Sequence, residues 1–459
     1  FKSCSDHHEF AGLSSEGPFR IQRAFRPGKE AVVKRIAFAV VTVVLGACAG
    51  AFCWAFFFLM NAGLDLLWVK APAWLAAIGM PAVVYPLAFC VAGGVAIGLF
   101  QKNVGPYPDD MNAVLAEVKK TGRYDYRHLG AMFFGALLPL LFGGSIGPEA
   151  GLTGVVAGLC SWVGDRLKFM GAEMRELANA GTAAILSAIF SAPLFGLAAP
   201  LFGYADDADG RRRRIDSFTA TVVSSPQVSK PVKTAVYLLS VAGALGAFML
   251  LNEVVGGGSG LPHFSDMAVG TSELAWALPV VALGACAGWL FHGFGWAVGK
   301  LSARLGDRVV VKAVVAGAIL GVLGIFLPFT LFAGEAQTEM LAQQWTALGA
   351  GALLATGFLK VLASQVCLGL GWRGGHFFPL IFSGIAIGYA AAGLFDIDPV
   401  FALSVSTAAL LGATMRQPLM VALLLILCFP AKAVVFVLAA ACLGAAVPVP
   451  KAFSRKLPH

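Results

Sequence analysis

An apolar run in the first half of the chain is interrupted by Gly143-Gly144-Ser145-Ile146-Gly147-Pro148-Glu149-Ala150-Gly151. The second half contains a counterpart, Gly371-Trp372-Arg373-Gly374-Gly375-His376-Phe377-Phe378-Pro379. Gly147 and Gly375 are separated by 228 positions, close to half of the 459 residues. The two stretches therefore mark corresponding points in two similar halves.

A second pair of markers follows each stretch. Residues 190–194 read Phe-Ser-Ala-Pro-Leu and residues 415–419 read Met-Arg-Gln-Pro-Leu, at an offset of 225 positions. Two markers with nearly the same offset indicate an internal duplication. We expect repeats at residues 34–215 and 216–450, with a soluble N-terminal tail at 1–33 and a short C-terminal tail at 451–459.

The composition around these stretches is that of a membrane protein. Apolar residues make up 58% of the chain and charged residues 13%, about half the usual share in soluble proteins. Many uncharged windows reach the roughly 20 residues that a membrane-spanning helix needs, whereas a barrel would show alternating segments of about 10 residues. We predict an all-α polytopic membrane protein with on the order of ten or more segments, and exclude soluble, disordered and fibrous classes. The windows are 36–64, 71–101, 128–148, 177–205, 274–299, 314–334, 340–359, 374–395 and 433–450.

The glycine- and proline-rich breaks predict an anion site. A helix that begins inside the membrane leaves its first N–H groups without partners, and these donors attract an anion together with the helix dipole. A third break, at residues 104–109, precedes a helix expected to begin near Met111. Transporters built from two repeats often place their site where such segments meet. The alternative is that small residues at four-residue spacing only allow close helix packing.

Glu149 is the only acidic residue between Asp125 and Asp165. A charge at the bilayer centre costs about 2.5 to 3.5 kcal/mol on insertion scales, so such a residue usually faces a cavity or a partner. The alternative is a buried carboxyl kept protonated by its apolar surroundings. A carboxylate among helix N-termini would compete with an anion for the same donors, and protonation would release it. We therefore predict that Glu149 is both gate and proton carrier.

The formal net charge of +8 comes from a few basic islands and does not indicate a nucleic-acid partner. The usual cytoplasmic bias of basic loops explains them and places both termini on the cytoplasmic side of the cell (inner) membrane, although Arg211–Arg214 could also bind membrane lipid. Lys360 and Arg416, isolated in apolar surroundings, either raise the positive potential along an anion path or pair at a helix end. The islands are Arg20, Arg23, Arg26, Lys29, Lys34 and Arg35; Lys119, Lys120, Arg123 and Arg127; Arg211–Arg214; and Lys451, Arg455 and Lys456.

No metal or cofactor motif is visible in the sequence. Eight of the nine cysteines lie in apolar segments, and neither a CxxC nor an HExxH pair occurs. An intramembrane enzyme would need a nucleophile with a base, but no membrane histidine lies near Ser145 in sequence. We predict no metal, no cofactor and no enzymatic activity.

The motifs resemble those of the CLC family of chloride channels and proton-coupled anion antiporters. The family's G-(R/K)-E-G-P element looks like residues 147–151, and its G-x-F-x-P element matches residues 375–379 fully. Its G-S-G-I-P element is matched loosely by Gly105-Pro106-Tyr107-Pro108-Asp109. The resemblance spans roughly residues 36–450 and implies two inverted-topology repeats with broken, partly re-entrant helices. It also implies a homodimer with one anion path in each subunit.

By this resemblance Glu149 is the gating glutamate, and the backbone N–H groups of His376 and Phe377 hold the central anion. The anion-binding positions at the three breaks are Gly105, Pro106, Gly147, Pro148, Gly375, His376 and Phe377.

The sequence departs from the family pattern at several positions. Pro106 replaces the family's anion-binding serine, and plant members with proline there favour nitrate. The family's C-terminal anion-binding tyrosine has no counterpart, since no tyrosine follows Tyr389. The inner proton-transfer glutamate aligns near Phe202 or Gly203, with Asp206 and Asp207 close by. Pro148 and Gly151 alter the gating motif.

These features predict transport of small monovalent anions, chloride or a similar ion, in exchange for H⁺ through Glu149. The alternative is a passive voltage- or pH-gated anion channel, favoured by the missing inner glutamate, with nitrate or another halide as its ion. A non-transporting scaffold would need neither three broken helices nor a buried carboxylate. Because the sequence ends soon after the last apolar segment, we expect no cytoplasmic nucleotide-binding module.

Overall fold

The computed structural model describes residues 29–77, 83–166, 177–202, 230–258, 260–450 and 453. These ranges are almost entirely helical, as the sequence predicts. A π-helical segment, Asp65–Lys70, joins α1 to α2, and short 3-10 turns precede α12 and α17. The helices are α1 (Lys29–Leu64), α2 (Ala71–Ala77), α3 (Val84–Asn103), α4 (Met111–Thr121), α5 (Leu129–Leu141), α6 (Glu149–Arg166), α7 (Leu177–Phe190), α8 (Pro193–Phe202), α9 (Lys230–Val254), α10 (Thr271–Leu305), α11 (Val309–Phe326), α12 (Glu335–Leu348), α13 (Ala350–Gly369), α14 (Phe377–Phe395), α15 (Pro399–Met415), α16 (Pro418–Leu425) and α17 (Val434–Ala446).

The helices correspond in order across two halves, α1 and α3–α9 with α10–α17. The break between α5 and α6 matches the break between α13 and α14. Ser191 and Arg416, each two residues before the first proline of the next helix, both adopt positive φ angles, 47° and 56°. The corresponding helices α3 and α11 pack antiparallel, because Gly98 lies against Val310 and Gly321 against Leu87. The predicted inverted-topology repeats are confirmed.

The predicted boundary between the repeats, at residue 216, lies outside the described residues. It stays a prediction. In the helix correspondence given above, α9 belongs to the first half, because α9 packs on α7 just as α17 packs on α15.

Several helices are long and apolar enough to cross a membrane. Within the described ranges, 7 spans satisfy this criterion, and the shorter apolar helices are Leu129–Leu141, Leu177–Phe190, Pro399–Met415 and Ala431–Ala446. The expected ten or more segments are reached only when those shorter helices are included. The central span is α14, with 89% of its most apolar window buried, whereas the window in α11 is 33% buried. The core therefore surrounds the helix that begins at the second glycine-rich break.

Glycines bring α3 and α11 into backbone contact. A Cβ atom at Gly317 would collide with the carbonyl oxygen of Cys90, and one at Gly94 would collide with that of Ala313. Such close approach between helices in a membrane depends on small residues at the contact. The two halves are therefore joined along this pair of helices.

We expect Gly317→Leu to destabilise the protein by about 1 to 3 kcal/mol or more, because the new side chain would force the two backbones apart. Thermal unfolding and size-exclusion profiles of purified protein measure this. Gly246→Leu on α9 is the matched control, since no described atom lies within 4 Å of a Cβ placed there. Equal profiles for the two variants would contradict the close contact.

Candidate functional site

The first break is held open by hydrogen bonds to carbonyl groups at the end of α5. The backbone N–H of Gly144 donates to Pro139 O at 2.8 Å, and the indole N–H of Trp68 donates to Leu141 O at 2.8 Å. Gly143 has φ of 88°, a left-handed conformation that glycine adopts without strain. The chain thus leaves α5 and starts again at Glu149, the first residue of α6.

The second break is held in a similar way. The backbone N–H of Trp372 donates to Cys367 O at 2.8 Å, and its indole N–H donates to Ala313 O at 2.9 Å. Gly371 has φ of 97° and accepts a hydrogen bond from the Gln101 side chain. The fully buried Trp372 thereby fixes the point at which α14 starts, at Phe377.

The two breaks are joined directly to each other. The backbone N–H of Gly147 donates to Gly375 O at 2.8 Å, and that of Gly375 donates to Gly147 O at 2.8 Å. This antiparallel bridge places the N-termini of α6 and α14 side by side. The positive ends of two helix dipoles therefore meet inside the membrane-spanning part of the chain.

The Glu149 carboxylate lies at this meeting point. Its Oε1 accepts a hydrogen bond of 2.8 Å from the backbone N–H of Phe377, the first residue of α14. The side chain is fully buried, and Oε2 has no hydrogen-bond partner among the described residues. A Cβ at either Gly147 or Gly375 would collide with this carboxyl group. Both glycines are therefore required for the carboxylate to reach the N–H groups of α14.

Aromatic side chains cover the start of α14. The ring of Phe377 lies 5.7 Å from Phe190 and 6.2 Å from Phe195, centroid to centroid, and Phe190 stacks on Phe378 at 5.3 Å. The His376 ring stacks on Phe377 at 4.9 Å. These rings exclude water from one side of the site, which strengthens electrostatic interactions there.

The predicted site residues divide into two groups. Gly147, Pro148, Gly375, His376 and Phe377 all lie at the two joined breaks with Glu149. The roles assigned to them stay predictions.

Gly105 and Pro106 lie in the third break, before α4 starts at Met111 as expected. Pro106 is exposed, whereas Pro108 is buried, lies beside Gly151 and accepts a 3.5 Å hydrogen bond from Arg373. The described contacts do not bring Gly105 or Pro106 to Glu149.

Lys360 on α13 is fully buried and binds backbone carbonyl groups, and a role in raising the positive potential along an anion path stays a prediction. Its Nζ donates to Phe329 O at 2.9 Å, Leu331 O at 2.8 Å and Phe332 O at 3.1 Å. Arg416 donates to the carbonyl oxygen of Val447 at 2.5 Å. Both cations therefore bind backbone carbonyl groups.

Sequence reasoning missed Glu335, the first residue of α12. It is 9% exposed and fixed at a helix start directly after Gly334. The sequence does contain a signal for this residue: Glu335 directly follows the uncharged window 314–334, just as Glu149 directly follows the window 128–148.

Several predicted features lie outside the described residues. These are Asp206 and Asp207, the basic run Arg211–Arg214, residues 1–28, and the C-terminal tail apart from Phe453. Within the described ranges, no three histidine, cysteine, aspartate or glutamate side chains come together as metal ligands. The expected absence of a metal or cofactor stays a prediction.

Comparison with known proteins decides the family. Residues 93–448 match the family described as "Voltage gated chloride channel". The chain belongs to this CLC family. The predicted resemblance is thereby confirmed, and the family is one of ion transporters and channels rather than enzymes.

The relatives of this CLC protein include bacterial proteins that carry one shared name. It is 29% identical over 344 residues to the "Putative ion-transport protein YfeO" of Escherichia coli O7:K1 (strain IAI39 / ExPEC), covering 71% of each chain. The protein of that name from Salmonella paratyphi A (strain ATCC 9150 / SARB42) is 26% identical over 371 residues, covering 75% of this chain and 78% of the relative.

Solved structures share the fold at lower identity. A slow cyanobacterial Cl⁻/H⁺ antiporter superposes with a TM-score of 0.72 at 20% identity, covering 89% of this chain and 93% of that one. A CLC-type fluoride/proton antiporter gives a TM-score of 0.63 at 18% identity, covering 90% and 94%. Identities this low support the CLC fold and leave the transported ion open.

We expect Gly375→Val to abolish anion flux in this CLC protein, because its side chain would occupy the space beside Phe377 N–H. Flux from liposomes and the size-exclusion profile are measured together, so that a folded but inactive protein is recognised. Gly351→Val, at an exposed position on α13 where a Cβ would meet no described atom within 4 Å, is the control. Normal flux in Gly375→Val would remove α14 from the site.

Proposed function

We propose that this CLC protein exchanges a small monovalent anion for H⁺, with Glu149 as the gate and proton carrier. The observation that carries the proposal is the 2.8 Å hydrogen bond from Phe377 N–H to the Glu149 carboxylate. That donor is the one expected to bind the anion. A carboxylate in this position excludes the anion for as long as it remains charged.

Protonation of Glu149 weakens its competition with the anion for the N–H of Phe377. A neutral carboxyl is a weaker acceptor than a carboxylate, so its hold on the N–H of Phe377 is reduced. The unoccupied donors and the two helix dipoles then favour a diffusible anion. Each cycle would bind one proton on Glu149 and exchange the carboxylate for the anion at one set of donors. Chloride fits this chemistry, and so do nitrate and other halides.

A passive anion channel is the second candidate. The family's inner proton-transfer glutamate is expected near the end of α8. This helix, Pro193–Phe202, contains no acidic residue, which favours a channel. A pH gradient imposed across liposomes distinguishes the two functions. An exchanger shifts the reversal potential with the gradient, and a channel does not.

We further propose the orientation and assembly of the protein. The end of the bundle at which α10 and α3 finish is basic, with Lys102, Arg304, Arg308 and Lys312, and the opposite end carries Glu273, Asp396 and Asp398. The basic end faces the cytoplasm by the usual bias of basic loops, and both termini lie there. The protein is a homodimer embedded in lipid of the inner membrane, with one anion path per subunit.

We expect wild-type anion flux to rise as pH falls, because protonation withdraws Glu149 from Phe377 N–H. Glu149→Gln imitates the protonated form and Glu149→Ala removes the group, so both should give flux that is independent of pH and moves no protons. Anion efflux and proton uptake by proteoliposomes, recorded together, measure this. The control is Glu253→Gln, an exposed glutamate at the end of α9.

Proton-coupled flux that persists in Glu149→Ala would refute the gating mechanism. Loss of all flux in both variants with an unchanged size-exclusion profile would instead assign the carboxyl a structural role.

We expect Pro106→Ser to increase chloride flux relative to nitrate flux, since a hydroxyl would supply a donor for the more strongly hydrated ion. The ratio of the two fluxes in liposomes measures this. Pro86→Ser, at the opposite end of α3, serves as the control. An unchanged ratio would show that the exposed Pro106 does not line the path.

A further inference from the structure

A second buried carboxyl lies behind the Glu149 site. The segment 327–334 connects α11 to α12, and the backbone N–H of Phe332 donates to Gly143 O at 3.2 Å, so this segment is attached to the first break. Glu335 follows it directly as the first residue of α12. Its Oε2 is buried and has no hydrogen-bond partner among the described residues.

Lys360 holds this segment but does not neutralise Glu335 by direct contact. Its ammonium group lies near four oxygen atoms, the three carbonyls of Phe329, Leu331 and Phe332 and Oε1 of Gln337 at 3.2 Å. An ammonium has three N–H donors, so these acceptors already exceed its capacity. Lys360 therefore makes its hydrogen bonds to these other oxygens, and Oε2 of Glu335 stays available for a proton.

Glu335 and Glu149 also interact with each other. Glu335 follows Phe332 by three residues, and the N–H of Phe332 bonds to Gly143 in the break that leads to Glu149, so the two buried carboxyl groups lie in one packed region and repel when both are charged. Three buried ionisable groups thus share this region, Lys360 with one positive charge and the two glutamates with up to two negative charges. One proton on either carboxyl makes the group neutral, and like charges in a poorly hydrated site disfavour the state in which both are ionised.

From this arrangement we propose that Glu335 is a second proton-binding residue of the transport site and sets the pH at which Glu149 is protonated. The inference rests on the proposed function of Glu149. The proton comes from bulk water and forms an O–H bond on the unpartnered Oε2 of Glu335, and no other group is exchanged. A charged Glu335 makes proton binding by Glu149 more favourable, and a protonated Glu335 makes it less so.

The remaining ionisable groups around Glu335 are few. α12 packs on α13 and α14. α13 contributes Lys360 and, further along, Cys367, and α14 contributes Tyr389, which stacks on Trp345 of α12 at 5.1 Å, ten residues beyond Glu335. Glu339, one turn after Glu335 on the same helix, is exposed. It offers a control with the same change of charge.

The test measures anion efflux against pH in proteoliposomes for wild type, Glu335→Gln and Glu339→Gln. Removing the charge of Glu335 should shift the midpoint of the flux response to lower pH by about 0.5 to 1 unit. Glu335→Asp, which keeps the carboxylate, should restore most of the wild-type midpoint. Glu339→Gln should leave it unchanged. A midpoint that is the same in Glu335→Gln and Glu339→Gln would overturn the proposal.

A second measurement is independent of transport. Infrared difference spectra of the purified protein, recorded against pH, report buried carboxyl groups as they gain protons. Wild type should show two such groups, and Glu149→Gln should retain one, which disappears in the double variant Glu149→Gln, Glu335→Gln. Absence of a titrating buried carboxyl in Glu149→Gln would overturn the proposal even if Glu335→Gln failed to fold. Absence of anion flux in wild type would refute the proposed function while leaving this titration to decide the role of Glu335.

Discussion

The site depends on two N–H···O bonds between Gly147 and Gly375. They join the points at which α6 and α14 begin, one in each repeat, and so bring two helix N-termini together where water is largely excluded. Helix N-termini without partners are unfavourable in that environment. The Glu149 carboxylate supplies a partner for one of the free N–H groups, that of Phe377, and both glycines leave the room it needs.

The bridge is secured by the surrounding structure on both sides. Trp68 and Trp372 fix the ends of α5 and α13 with indole hydrogen bonds to backbone carbonyls. Ser145 in the first break lies 3.3 Å from Ser364 on α13, oxygen to oxygen, and Lys360 one turn earlier binds the segment attached to Gly143. α13 therefore stabilises the first break through Ser364 and Lys360, and its own C-terminal end leads into the second break.

Much of this arrangement could be predicted from the sequence. The glycine and proline breaks, their common offset and the isolated Glu149 indicated two repeats with a shared site, and the helix start at Met111 followed from the break before it. The partners of Lys360 could not be predicted, because three of its acceptors are backbone carbonyls 28 to 31 residues away and the fourth is the side chain of Gln337 on another helix. Glu335 was overlooked because Glu339 and several amide side chains follow it, which makes α12 resemble a polar surface helix. Only the tertiary packing shows that Glu335 itself is buried, although Ala336 next to it is exposed.

The backbone contact between α3 and α11 has a consequence for how the molecule moves. These helices belong to different repeats, and Gly94 and Gly317 leave no space between them and their neighbours Ala313 and Cys90. Rocking one repeat against the other would require this tightly packed seam to open, with the loss of many dispersion contacts. Under the exchange proposed above, access to the site would therefore alternate through rotation of a few side chains about their own bonds, with the helical frame staying still.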